Sequence, residues 1–131
     1  MTLRHQAICV TMLLLATCVT GSPQQPSSAD KWADYASGEY DILPNITYAV
    51  ANNTELKLDL YLPRKRTNPV PTLMLFHGGG WVDGQKERNV LELLPYLSLG
   101  WAVVNVEYRL ARNTLAPAAV EDSRCALRWV T

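Results

Sequence analysis

The chain has 131 residues, 48% hydrophobic and 18% charged, and its 12 basic and 12 acidic side chains cancel to a formal net charge of +0. That length holds one small domain, and the composition excludes a disordered chain. Balanced charge gives no basis for nucleic-acid binding, which needs clustered Lys and Arg against phosphates; the one basic cluster, Arg64-Lys65-Arg66, reads as a solvated loop.

Residues 1–22 read as a secretory signal peptide. Arg4 and His5 form a polar start, Ala7 to Val19 an apolar run, and Thr20-Gly21-Ser22 a small-residue end before Pro23. The run is too short for a comfortable bilayer crossing. The chain is therefore expected to be secreted or periplasmic, with no stable membrane span. A retained signal anchor is the alternative, as is lipoprotein anchoring at Cys18, although Thr17 fits a lipobox poorly. Removing Arg4 with the signal leaves a charge of −1, and Cys9 and Cys18 leave too. Cys125 alone remains, so no internal disulfide is possible, and its helical, apolar setting reads as structural. Asn45-Ile46-Thr47 and Asn52-Asn53-Thr54 are glycosylation sequons only if the chain is exported in a eukaryote.

Residues 23–40 carry Pro23, Pro26, Ser27 and Ser28 and show no sustained period, so they read as a linker-like segment; the domain is expected over 41–131. Ile46 to Val50 and Leu56 to Leu62 are strand candidates. Leu56, Leu58, Leu60 and Leu62 alternate with polar residues, and Asn52-Asn53 suits the turn, which predicts an antiparallel hairpin with one buried face. Thr72 to Phe76 and Trp101 to Val106 are unbroken apolar runs, expected where helices cover both sheet faces. Between them, Lys86 to Leu99 has Val90, Leu93, Leu94 and Leu97 at helical spacing, with Pro95 set to kink it and Gly100 to end it. Strand, helix, strand is a βαβ unit with parallel strands. A last helix begins at Pro117, with Val120, Leu127 and Val130 on one face. The chain ends within that helical pattern, so the domain is expected to be truncated.

Chemistry enters at His77-Gly78-Gly79-Gly80-Trp81, directly after an apolar strand. Three glycines would break a regular element, but they let backbone N–H groups approach a ligand closely. Such donors, aimed at the oxyanion of an acyl-transfer intermediate, are each worth roughly 3–4 kcal/mol. The segment resembles the HGGG motif of the hormone-sensitive-lipase-like and related esterases, including the BD-FAE group. Asp83-Gly84, Val103 to Leu110, Pro117 to Asp122 and Ala126 to Val130 resemble segments of the same family in the same order, so the similarity covers about residues 45–131. The resemblance implies a three-layer α/β-hydrolase fold, present here as the N-terminal hairpin plus the first parallel strands and helices. It implies an oxyanion hole at Gly79 and Gly80, a turn set by Gly78, and loop support from His77 and Trp81, with His77 orienting the loop rather than acting as a base. The substrate would be a small-molecule or carbohydrate-linked ester, with no cofactor and no metal.

Other readings of these residues are weaker. A phosphate loop would need a following Lys-Ser/Thr or a G-x-G-x-x-G pattern, and neither occurs. His77 is the one histidine left after the signal, which excludes a His-rich zinc site. Tyr108-Arg109 reads as a strand end, and Glu121-Asp122 as a helix start with a packing role. No G-x-S-x-G is present; the nearest approach, Ser98-Leu99-Gly100, has Tyr96 in place of the first glycine. The Ser, Asp/Glu and His of the triad would follow the oxyanion loop and lie beyond Thr131. The parent activity is then carboxylic-ester hydrolysis through a serine acyl-enzyme, with these 131 residues alone inactive. The alternatives are a truncated non-catalytic binding or interaction protein, or a formamide or peptide hydrolase with the same loop.

Overall fold

The computed structural model describes residues 25–66 and 69–131. The signal expected at residues 1–22 lies outside the described residues. Among the described residues, no helix is long and apolar enough to cross a membrane.

The hairpin forms from β1 (Tyr40–Ala51) and β2 (Thr54–Pro63), paired antiparallel. Asn52 and Asn53 both take positive φ, 51° and 58°, as a two-residue turn matched to strand twist requires. The expectation of a single buried face fails. Leu56 and Leu58 are buried on one side, but Asp59 and Tyr61 are buried on the other. The reason is position: β2 lies inside the sheet, whose order is β1-β2-β4-β3, so helices reach both of its faces.

The two apolar runs become β3 (Thr72–Phe76) and β4 (Ala102–Val106), which pair in parallel as expected. All five residues of β4 are buried, whereas Thr72 and Phe76 at the ends of β3 are exposed, because β3 is an edge strand among the described residues. The crossover is a 3-10 turn over Lys86–Asn89 followed by α2 (Val90–Ser98), which carries Pro95 within it. Leu93 and Leu97 pack with Tyr40, Tyr61 and Val103 on one side of the sheet. Leu58, Val104, Val106 and Ala126 form the core on the other.

Two helices differ from expectation. Residues 23–40 are not wholly linker-like, since Ser28–Glu39 forms a helix, α1. Ser27 Oγ accepts from the Asp30 N–H while the Asp30 carboxylate accepts from the Ser27 N–H, a capping box. No residue of α1 is buried, so its cap and short-range bonds do much of the ordering. In α3 (Pro117–Val130) the sheet-facing residues are Ala118, Ala119, Asp122 and Ala126. Val120 and Leu127, on the apolar face outlined by the helical period, are 56% and 52% exposed. Small residues bring the helix close, and Asp122 fixes its rotation: its carboxylate accepts from Arg109 N–H (3.0 Å), Nε (2.9 Å) and Nη2 (2.7 Å).

This ion pair is buried on both sides, so removing one partner strands a charge. Asp122→Ala should destabilise the chain by about 3–5 kcal/mol in urea unfolding. A loss below about 1 kcal/mol would mean that α3 is held by its alanine packing alone.

Candidate active site

β3 delivers His77 at its C-terminal end, and the chain then leaves the sheet through Gly78, Gly79 and Gly80. The three glycines are exposed, whereas His77 is buried beneath them. Gly79 has φ 122°, Gly80 61° and Trp81 61°, all in the region that favours glycine. The Val82 and Asp83 N–H groups both donate to the Gly79 carbonyl oxygen at 3.1 Å, which curls the chain over itself. A Cβ on Gly79 would collide with the Asp83 carbonyl oxygen, and one on Gly84 with His77 Nδ1 and the Gly78 carbonyl oxygen. A Cβ on Gly80 would meet nothing within 4 Å. Among the described residues, the N–H groups of Gly79 and Gly80 have no hydrogen-bond acceptor in the chain.

The underside of this loop is polar and fully packed. The His77 ring stacks on Tyr108, with centroids 4.3 Å apart and planes 10° apart, and the Tyr108 hydroxyl donates to the His77 carbonyl oxygen at 2.6 Å. Burial, with the Glu107 charge beside it, pushes the Tyr108 hydroxyl up in pKa, so it stays a donor. His77 Nδ1 lies 3.0 Å from the Gly78 carbonyl oxygen. That oxygen can only accept, so the ring donates there. In a planar trans peptide the C=O and N–H point in opposite directions. With its carbonyl turned to the ring, the Gly78–Gly79 peptide aims the Gly79 N–H away from it.

Behind His77 sits a charge cluster that sequence reading did not anticipate. Lys86 is only 4% exposed. Its Nζ reaches the carboxylates of Asp59 at 2.9 Å and Glu87 at 2.7 Å. Burial works against the Lys86 charge, but the bonds to Glu87 and Asp59 more than offset it and raise its pKa. The Lys86 N–H donates to Glu107 Oε2 at 2.7 Å, and Asn105 Nδ2 donates to the Lys86 carbonyl oxygen at 2.9 Å. Asp59 also accepts from the Asn45 N–H at 2.8 Å, where β1 bulges with Asn45 at φ 57°. The alternation of β2 placed Asp59 opposite the leucines, which was the available signal; nothing in the order of residues pairs it with Lys86.

The remaining sequence candidates are placed as follows. Trp81 has an exposed side chain, but its carbonyl oxygen accepts from the Ala111 N–H at 2.7 Å, so its backbone ties the loop to the segment after β4. Asp83 joins Arg88 and Arg112 on the outer side of the loop. Ser98 and Ser123 donate back to the carbonyl oxygens of Pro95 and Ala119, and neither pairs with His77. Cys125 is partly buried and free.

The glycines differ in what they tolerate. Gly79→Ala combines a backbone collision with a strained φ and should lower stability by several kcal/mol. Gly80→Ala has room and should cost only about 1–2 kcal/mol for the left-handed conformation. Denaturant midpoints check this; equal losses would show that the loop relaxes around a Cβ.

The BD-FAE family model matches residues 58–131, from the middle of β2 through the loop to the end of α3. Carboxylesterase NlhH of Mycobacterium tuberculosis is 33% identical over 78 residues, which cover 59% of this chain and 24% of that protein. The structure of esterase B from Lactobacillus rhamnosis, 28% identical, superposes with a TM-score of 0.60 over 79% of this chain and 35% of its own. Esterase Est2 of Thermogutta terrifontis, 24% identical, gives a TM-score of 0.61 over 70% of this chain and 33% of its own. The chain thus spans about a quarter of the curated relative and a third of each solved neighbour, and its architecture is an incomplete α/β-hydrolase fold. With more than half of its residues inside the family model, the chain belongs to the BD-FAE family of α/β-hydrolase esterases.

Proposed function

We propose that the whole protein hydrolyses small-molecule or carbohydrate-linked carboxylic esters through a serine acyl-enzyme, and that this chain supplies the oxyanion donors. The observation that carries the reading is the pair of unsatisfied N–H groups at Gly79 and Gly80, held on a strained loop at the end of a parallel strand. When a nucleophile attacks an ester, the carbonyl oxygen gains a full negative charge. Donors already in place stabilise that charge without reorganising, and so favour the transition state over the ground state. The names of the relatives, a carboxylesterase and an arylesterase, support ester hydrolysis. The nucleophile and its base would come from sequence other than these 131 residues, which hold no G-x-S-x-G.

Two measurements test this. The chain alone should not hydrolyse a short p-nitrophenyl ester above a Gly79→Asp control. Joined to the C-terminal portion of a BD-FAE relative, it should. In that completed enzyme Gly79→Ala, whose Cβ would collide with the Asp83 carbonyl oxygen and push the loop N–H groups out of position, should lower kcat by roughly 10²–10³-fold while changing KM little; Gly80→Ala, which keeps its N–H and has room for a Cβ, should lower kcat far less. A folded Gly79→Ala enzyme with unchanged kcat would remove this loop from the oxyanion hole.

A further inference from the structure

The Gly79–Gly80 peptide has a fixed direction. Its carbonyl oxygen accepts from the Val82 and Asp83 N–H groups, each at 3.1 Å. In a trans peptide the N–H points opposite to the C=O, so the Gly80 N–H is aimed away from that turn. Where Asp83 sits therefore decides where Gly80 donates. The Asp83 side chain is held from two sides. Arg88 Nη1 donates to its Oδ2 at 3.0 Å, and Arg112 Nη2 to its Oδ1 at 3.2 Å. Bonding to the Gly84 N–H and to Arg88 keeps the Asp83 carboxyl below the usual carboxylate range, so it is charged at neutral pH. The arginines come from separate segments. Arg88 lies in the 3-10 turn that begins at the buried Lys86. Arg112 lies in the turn after β4, where the Asn113 N–H donates to the Leu110 carbonyl oxygen at 2.9 Å and the Ala111 N–H reaches Trp81. The side chains of Asp83, Arg88 and Arg112 are 57%, 58% and 62% exposed, so burial does not require the pairing. Asp83 is also in close contact with Gly79, since its carbonyl oxygen occupies the place a Gly79 Cβ would take.

We propose that Asp83, clamped between Arg88 and Arg112, is a positioning residue for the Gly80 N–H. Its catalytic meaning rests on the oxyanion reading above; its hold on the Gly79–Gly80 peptide does not. The clamp acts on local order rather than on global stability, to which exposed ion pairs contribute little. Surface loops open at low cost, so two weak pairs are enough to decide between a loop that holds the Gly80 N–H out and one in which that peptide rotates. Exposed pairs are also screened by salt, with a Debye length of about 3 Å at 1 M, whereas the buried contacts of His77 and Lys86 are screened far less. Gly80 is thus the salt-responsive donor of the two, and Gly79, set from below by His77, the salt-resistant one. In a loosened loop only a fraction of molecules presents the second donor, so turnover falls with that fraction while substrate binding changes less.

The test uses the full chain labelled with ¹⁵N and reads backbone order parameters. At low salt the Gly79 and Gly80 amides should both be rigid, with values of about 0.85. At about 1 M NaCl the Gly80 value should fall below about 0.6 while Gly79 holds. Asp83→Asn, which keeps an oxygen for the Gly84 N–H, should show that fall at low salt and respond no further to added salt. Arg88→Gln combined with Arg112→Gln should do the same. A Gly80 amide that stays rigid in Asp83→Asn, or one that loosens only together with Gly79, overturns the proposal. If Asp83→Asn does not fold, the salt titration of the parent chain decides alone. In the completed esterase Asp83→Asn should lower kcat roughly fivefold with KM little changed. A loosened Gly80 amide with unchanged kcat overturns the catalytic role, and absence of ester hydrolysis in the parent enzyme counts against the proposed function instead.

Discussion

The buried ammonium of Lys86 is the contact on which the site depends. A charge taken out of water must be paired and hydrogen-bonded, or it will not stay buried. Asp59 and Glu87 meet that need directly, and the Lys86 backbone binds Glu107 and Asn105. Those partners come from β2, from β4 and the residue after it, and from the 3-10 turn before α2. The antiparallel β2–β4 ladder already sets Asp59 opposite Asn105, but sheet hydrogen bonds fix register and not the position of a segment beyond the strand ends. Lys86 therefore adds a tie from that ladder to the 3-10 turn and to Glu107. Asp59 extends the tie to β1 through the Asn45 N–H.

His77 converts that rigid base into loop geometry. Its ring is clamped between Tyr108 and Gly84, where a side chain on Gly84 would displace it. Its Nδ1 then sets one peptide plane, and Gly79 and Gly80 complete a turn that only residues tolerant of positive φ can make. The positive-φ positions around His77 therefore answer to distinct constraints: close packing at Gly79 and Gly84, and backbone direction at Gly80.

The hairpin, the parallel pair and the glycine loop were legible because each has a local signature: alternation with an Asn-Asn turn, unbroken apolar runs, and three glycines after a strand. Helix α1 was also legible in principle, since Ser27-x-x-Asp30 is a capping box, but Pro23, Pro26 and the serines hid it within a linker-like composition. The packed face of α3 was not. Helical period alone favoured Val120 and Leu127, whereas the sheet chose alanines and Asp122, because close approach and the Arg109 pair outweighed apolar area. Lys86 and Glu107 were illegible for a related reason. A charged residue reads as exposed until its partners are known, and those partners lie 27 and 21 residues away in sequence.

The two sides of the loop are opposites in physical character, a difference that suits the oxyanion role proposed for it. Below, hydrogen bonds join His77, Tyr108, Lys86, Asn105 and Glu107 to one another or to the backbone, with only His77 Nε2 and Asn105 Oδ1 left without a partner among the described residues, and this network holds the backbone in place. Above, the glycines carry no side chains, and among the described residues the Gly79 and Gly80 N–H groups have no acceptor. If the underside were loose, the unsatisfied amides would turn inward to find partners, and the donors would have to be turned out again at each encounter with charge. Donors that are held out, and prevented from satisfying themselves, are already oriented when the charge arrives. On the proposed reading, the strain at Gly79 and the charge cluster around the buried Lys86 are two parts of one device, the second making the first sustainable.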